Sequence, residues 1–520
     1  MSRSGQPRRR AYLAAFLGFV VLALVALLVM SGAAWLQGFG LEVLQDPLGW
    51  LERLDPAAAA SSLSSAAELV ANVVAIAITV VAIIVELAAN RYSHRITRIF
   101  VTEPINVIVM SLFIITAVTC VWNSAPLGES PPGALVPNAG FGIAMVLVTL
   151  SLLALLPYFA FVFAFLSPTN IISKISASGL SAIASARRSS LAAAQGKALM
   201  AVDELHDVAR RATEVNDRAV AMASLDALSR LLVDYQALKD SLPDAWFEIS
   251  SEILRDPDFV SLAPLSLEQV EEDRMWLEFK IMRQYLATVM SAGPTAKDVI
   301  NLIAIKTRRL GELGTKGSQP LADLSLRCFN SYLRSTINNG DLRSSYYVMN
   351  EYRQLGEAMM AAGDQKSPGE IALHLQYYAI LAFKYRQPFL LEVAAYDLVQ
   401  LITSSLEESP DSVDDLLQLL LDLDQEVKTD WQAAGNLGVR RAQLQLATLF
   451  LERGDEMRCN KLCEDLRGES REVLTEAKNQ LLNEDRSQFW EITDRGVNFI
   501  YLDPARRKLI TPIFERIYLR

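Results

Sequence analysis

Histidine is nearly missing from this chain: three residues, at 94, 206 and 374, among 520. Metal centres built on imidazole have little to draw on. The richest fragment, Asp203-x-x-His206-Asp207, lacks the second carboxylate–histidine pair that a helical di-metal site requires, so no metal is expected. Cysteine is scarce too. Cys120 falls in an apolar run, Cys328 stands alone, and Cys459 and Cys463 are one helical turn apart with no second Cys or His pair beside them. They read as small buried filling in a reducing compartment. G-x-x-x-x-G-K-[ST], H-E-x-x-H, C-x-x-C and G-x-S-x-G are all absent. The near miss GELGTKGS at 311–318 has the wrong spacing and reads as a helix end followed by a turn. Without a catalytic constellation, neither an enzyme nor a cofactor is expected.

Basic charge is also in deficit, with 49 Lys+Arg against 59 Asp+Glu. Residues 1–169 hold eight of each sign, so the rest carries 41 against 51, a surplus that repels nucleic acid. Apolar side chains are what the sequence has in abundance, at 51% with a mean hydropathy of +0.22. They concentrate in four runs, Ala11–Trp35, Leu69–Ala89, Ile105–Trp122 and Phe141–Leu166. Each is long enough to cross a hydrocarbon core of ~30 Å. MSRSGQPRRR and the small residues SGAA at 31–34 have the look of a signal peptide, but the first run continues to Met30. That exceeds the ~7–15 residues of a signal core, so this run is expected to remain as an anchor.

Arginine placement gives the orientation. Arg3, Arg8, Arg9 and Arg10 precede the first run and Arg91, Arg95 and Arg98 separate the second from the third, whereas the opposite side has Arg53 alone. Positive charge stays inside, which puts both termini in the cytoplasm of a bacterial inner membrane. Continued as a helix, VELAANRYSHRITRIFVTEP gathers Arg91, His94, Arg95 and Arg98 on one side and Tyr92, Ile96, Ile99 and Phe100 on the other. Those arginines are candidate ligands for lipid headgroups or another anion. Glu86 is the one ionisable residue well inside a run, a helical turn from Asn90 and close to Arg91. Ala14/Gly18 and Ala67/Ala71/Ala75 have the spacing of close helix contacts, and Pro157 should kink the fourth span.

From Asn170 onward, turn signals such as SLPD, TKGSQP, NNGD, AAGDQKSPG, AAGNLG and ERGD separate segments of 3.6-residue periodicity, as in LDALSRLLVDYQALKDSL. Stacked helical hairpins follow. In LQLATLFLERGDEMRCNKLCEDL, residues Leu446, Ala447, Phe450, Gly454, Cys459 and Cys463 occupy the packing positions of a tetratricopeptide hairpin. A looser echo at Leu355, Gly356, Met359 and Gly363 has Pro368 where a small helical residue belongs. The two glycine turns are 91 residues apart, not a multiple of 34, so a regular array is excluded.

Two stretches carry a family resemblance. NVVAIAITVVAIIVELAANRYSHRITRIFVTEPINVIVMSLFIITAVTCVW resembles the second and third spans of the bacterial membrane-protein family of domain of unknown function 2254. VDELHDVARRATEVNDRAVAMASLDALSRLL, at 202–232, is similar to that family's cytosolic signature, in which Asn216 and Asp217 would form a turn and Asp226 would lie on the next helix. Where the family has Ser-Pro-Gly before the turn and Pro after it, this chain has TEV and Arg218. The resemblance covers residues 10–235 or so and implies no activity.

The expected architecture is therefore all-α: a basic N-terminus at 1–10, a four-helix transmembrane bundle at 11–168, a juxtamembrane helical segment at 169–240 and a cytosolic tetratricopeptide-like domain at 241–520. It reads as a membrane-anchored scaffold or sensor, contacting lipids and a protein partner. The alternative is a homo-oligomeric ion channel or transporter with a pathway lined by Asn72, Thr79, Thr116 and Thr119.

Overall fold

The computed structural model describes residues 55–91, 97, 100–101, 103–128, 138–187, 190–292, 296–425, 430–491, 493 and 495–518. These are helical with irregular connections, and no strand occurs among them. The first expected span, Ala11–Trp35, lies outside the described residues. The chain divides into two compact units, Met1–Ile171 and Ile172–Arg520.

The first unit contains α1 (Pro56–Arg91), α2 (Pro104–Gly128) and α3 (Asn138–Phe165). Helix α1 starts well before the apolar run begins at Leu69. Asp55 caps it, accepting from the Ala58 amide at 3.3 Å, and a run of alanines with high helix propensity follows Pro56. Helix α3 continues through Pro157. The three helices pack together along a seam in which Ala59, Leu63, Ala67 and Val70 of α1 meet Phe113 and Cys120 of α2 and Phe141, Ala144 and Val148 of α3. Small residues on that seam let the backbones approach. Of the expected alanine triplet only Ala67 takes part; Ala71 and Ala75 are exposed. Thr116 Oγ1 and Ser151 Oγ, both fully buried, share a hydrogen bond of 2.8 Å, and Tyr158 donates to Asn106 Oδ1 at 2.6 Å.

On the outside of this unit the usual polarity is reversed. Ile76, Leu87, Ile108, Ile114, Trp122 and Phe163 are each at least 61% exposed. Such a surface fits a hydrocarbon solvent, and α1, α2 and α3 are long and apolar enough to span one.

The second unit begins within α4 (Pro168–Ser185) and continues with α5 (Leu191–Glu214), α6 (Arg218–Lys239), α7 (Trp276–Ser291), α8 (Lys297–Gly314), α9 (Gln319–Asn338), α10 (Leu342–Ala361), α11 (Ser367–Lys384), α12 (Pro388–Glu408), α13 (Val413–Leu421), α14 (Asp430–Glu452), α15 (Glu456–Leu466), α16 (Arg471–Asn483) and α17 (Ile510–Tyr518). From α5 to α13 helices pack on the next but one as well as on a neighbour, which sorts them into two layers: α6, α8, α10, α12 and α14 form one, α5, α7, α9, α11 and α13 the other. In the even layer α8, α10, α12, α14 and α16 start at 297, 342, 388, 430 and 471. The pitch of roughly 45 residues matches two-helix repeats of ~40–47 residues and exceeds the tetratricopeptide value of 34.

Four hairpins close by one device. Asn216 (φ 57°), Gly340 (φ 68°), Gly363 (φ 86°) and Gly454 (φ 74°) adopt the left-handed conformation that lets a helix end. The following aspartates, Asp217, Asp341, Asp364 and Asp455, donate their amides back to Ala212, Thr336, Met359 and Phe450 at 2.7, 2.9, 3.0 and 2.9 Å. Their carboxylates then cap the next helix, accepting from Val220, Ser344, Ser367 and Arg458 amides at 3.3, 3.1, 3.1 and 3.2 Å. Pro368 opens α11 at its first turn.

Helix α12 also has the length and hydropathy of a membrane span, but 67% of its apolar window is buried, against 17–22% in α1 to α3. Its apolar residues face α10, α11, α13 and α14. It is a core helix of the even layer.

Candidate interaction groove

After α16 no helix occurs among the described residues from Glu484 to Asp503. Irregular connections of that length are uncommon in compact domains and are often functional. This one crosses the even layer where α10, α12 and α14 present side chains unusual for a solvent face. Asp397 of α12, 1% exposed, accepts from Arg495 Nη1 at 2.6 Å and Nη2 at 3.2 Å, and lies 3.1 Å from Arg353 Nε of α10. Arg495 Nη2 also donates to the Tyr346 carbonyl at 2.8 Å, and its guanidinium sits 4.2 Å from the Tyr346 ring centroid. The Phe499 ring stacks on Tyr396 at 4.6 Å and 6°. From α14, Gln445 Nε2 donates to the carbonyls of Phe499 and Tyr501 at 2.8 and 3.2 Å. Beside these contacts a cavity of about 700 Å³ remains, lined also by Gln354, Gln400 and Asn498. A guanidinium slot, an aromatic plate and donors to main-chain carbonyls are the means of holding an extended chain, and none of them is a nucleophile with a base.

A second polar cluster lies between α5, α7 and the connection before α7. Lys280, 1% exposed, places its Nζ 2.8 Å from Asp203 and 2.7 Å from both Asp256 and Asp258. Burial opposes the ammonium charge, but Asp203, with hydrogen bonds to Asp256 and Asp258, outweighs it and holds Lys280 above its ordinary value. For Asp203 burial prevails over Lys280 and the carboxyl is pushed up. His206 is pushed down to about 4, chiefly by burial, and its Nε2 has no hydrogen-bond partner among the described residues. An internal ammonium thus occupies the centre of the carboxylates around the Asp203–His206 fragment. No cluster of metal-ligating residues occurs among the described residues.

Of the sequence-derived candidates, Arg95 and Arg98 lie outside the described residues, as does the side chain of Arg91 at the end of α1. Glu86 stands exposed on α1. Asn216 and Asp217 form the turn between α5 and α6. Asp226 of α6 pairs with Lys306 of α8 and with Arg230 at 2.5 Å, tying two even-layer helices together. Thr116 is sealed against Ser151, Thr119 donates to its own helix at Ile115, and Asn72 and Thr79 are exposed, so the four proposed pathway residues do not line one channel within the chain. Cys459 and Cys463 are buried. Sequence reading missed the groove and the Lys280 cluster. Their trace is charge in an apolar stretch, Asp397 alone in VAAYDLVQLI and Lys280 with Glu278 in WLEFKIM.

Comparison with curated proteins and with solved structures finds no match. A family model described as Predicted membrane protein (DUF2254) does match, over residues 10–200, which covers α1 to α3 and reaches into α5. It bears out the resemblance carried by the spans and their polar connector. Over residues 10–200 the chain thus matches the predicted membrane protein family of domain of unknown function 2254.

Proposed function

We propose that this membrane protein is an anchored scaffold or sensor of the bacterial inner membrane, a binder and not a catalyst. Both termini lie in the cytoplasm, and the second unit is an interaction domain of stacked helical hairpins, the one closed at Gly454 tetratricopeptide-like, that holds a protein partner. Arg91, Arg95 and Arg98 contact anionic headgroups at the inner face. Arginine asymmetry supports the orientation. The glycine turn at 454, with Cys459 and Cys463 packed behind it, supports the hairpin comparison. The observation that carries the reading is the groove over α10, α12 and α14, whose donors and rings suit an extended chain.

One observation favours an oligomeric channel or transporter instead. Ser65, Asn72, Thr79 and Glu86 recur every seven residues and are all exposed on α1, so that several subunits could bring the stripe together. Ion flux from liposomes separates the two readings. With wild type the expected flux equals that of empty liposomes; flux that Glu86→Gln abolishes, in particles shown by cross-linking to remain assembled, would establish the pore and remove the scaffold.

A further inference from the structure

We propose that the segment Arg495–Leu502, RGVNFIYL, is a built-in ligand that occupies the groove and is displaced by a partner protein offering the same chemistry: an extended chain with an arginine and, four residues later, an aromatic ring. The inference rests on the reading of the second unit as an interaction domain.

Three properties of the contact support it. First, the segment is held at a few anchors and not by a buried body. Asn498, Leu502 and the side chain of Arg495, 4% exposed, are its buried parts, Gly496 and Val497 are exposed, and the rest are half-buried. Elements with so few buried apolar contacts open at low free energy. Second, the groove is complete without it. Asp397 keeps Arg353 as a counter-ion at 3.1 Å when Arg495 leaves, so departure strands no buried carboxylate. Arg353 in turn is held by Asn350 Oδ1 at 3.1 Å and by Glu357. Third, recognition is of a kind that transfers to another chain. Gln445 reads main-chain carbonyls, which every peptide has, while the Asp397 slot and the Tyr346 and Tyr396 rings select a guanidinium and an aromatic side chain. A charged slot paired with an aromatic plate excludes lipid tails and favours protein. The 700 Å³ cavity beside the segment leaves room for a longer incoming chain.

Tethering makes this an effective competitor. A ligand on a short linker meets its site at an effective concentration in the millimolar range, so a free peptide of equal contacts loses to it. Weakening the tethered copy should therefore increase binding in trans, because apparent affinity scales with the fraction of open grooves. A clamp that only stabilised the fold would give no such gain.

The test uses the full chain in nanodiscs and a dye-labelled peptide of residues 495–503, RGVNFIYLD, read by fluorescence anisotropy. Wild type is expected to bind it weakly, and Arg495→Ala and Phe499→Ala each at least tenfold more tightly. Adding Gln445→Ala to either should lose that gain. If neither variant binds more tightly than wild type while its helical circular dichroism is intact, or if Gln445→Ala leaves the gain untouched, the proposal is overturned. Unfolding of both single variants would likewise overturn it, since the segment would then be part of the core. Cross-linking of a partner from the groove would survive such a failure and leave the interaction domain standing.

Discussion

Lys280→Met is expected to destabilise the second unit by about 3–5 kcal/mol, the range for removing one partner from a buried ion cluster. Methionine keeps the length and apolar stem of lysine, so packing around α7 changes little. What disappears is the ammonium that Asp203, Asp256 and Asp258 surround at 2.7–2.8 Å. Asp203 sits on α5 and the other two precede α7, so two parts of the fold lose their common counter-ion and their tie to α7. Gln284 and Arg283 can still reach Asp258, the latter at 3.6 Å, but Asp256 is 7% exposed and has no comparable substitute. Trp246 and Trp276, packed nearby with centroids 5.1 Å apart and rings tilted by 54°, give a local signal for denaturant unfolding of the full chain in nanodiscs. A loss under 1 kcal/mol would mean that the cluster is hydrated and contributes little.

Acid should weaken the same region through His206. His206 sits at about 4 in the folded chain, held down first by burial and further by Arg210 and Lys280, with Asp207 and Asp258 opposing. The unfolded chain takes up that proton near the ordinary value of ~6.5. Between those values the unfolded state binds more protons than the folded one, so stability rises with pH. The contribution is fully present above ~6.5, is lost as pH falls towards 4, and amounts to about 3 kcal/mol at ~1.4 kcal/mol per unit. His206→Gln, which titrates nowhere in this window, should flatten the profile over that range. An unchanged slope would place the acid sensitivity elsewhere.

Much of the fold was legible in one dimension, and the reason differs by element. The hairpin turns were readable because NNGD and ERGD pair a residue that tolerates positive φ with an aspartate that caps the next helix. Spans α1, α2 and α3 were readable in their apolar parts, but the start of α1 was not. The alanines between Pro56 and Ala67 favour helix, and with the serines among them the stretch is not strongly apolar, so hydropathy missed what capping at Asp55 begins. The groove was out of reach for a different reason. Arg495 and Asp397 are 98 residues apart, and Arg495 and Tyr346 are 149 apart, so nothing local joins them. The Lys280 cluster assembles from three separate stretches in the same way. A buried charge in an apolar run marks that a partner exists; only the stacking of helices says which one.

The measurement closest to the central claim is photo-cross-linking of the full chain in its native membrane, with a benzophenone amino acid at Gln400, exposed beside the groove, and at Arg327 of α9 in the opposite layer as the control. An interaction domain that holds an extended partner segment over α10, α12 and α14 predicts protein adducts from position 400 and few from position 327. Equal labelling at the two positions, or no protein adduct at 400, would contradict it.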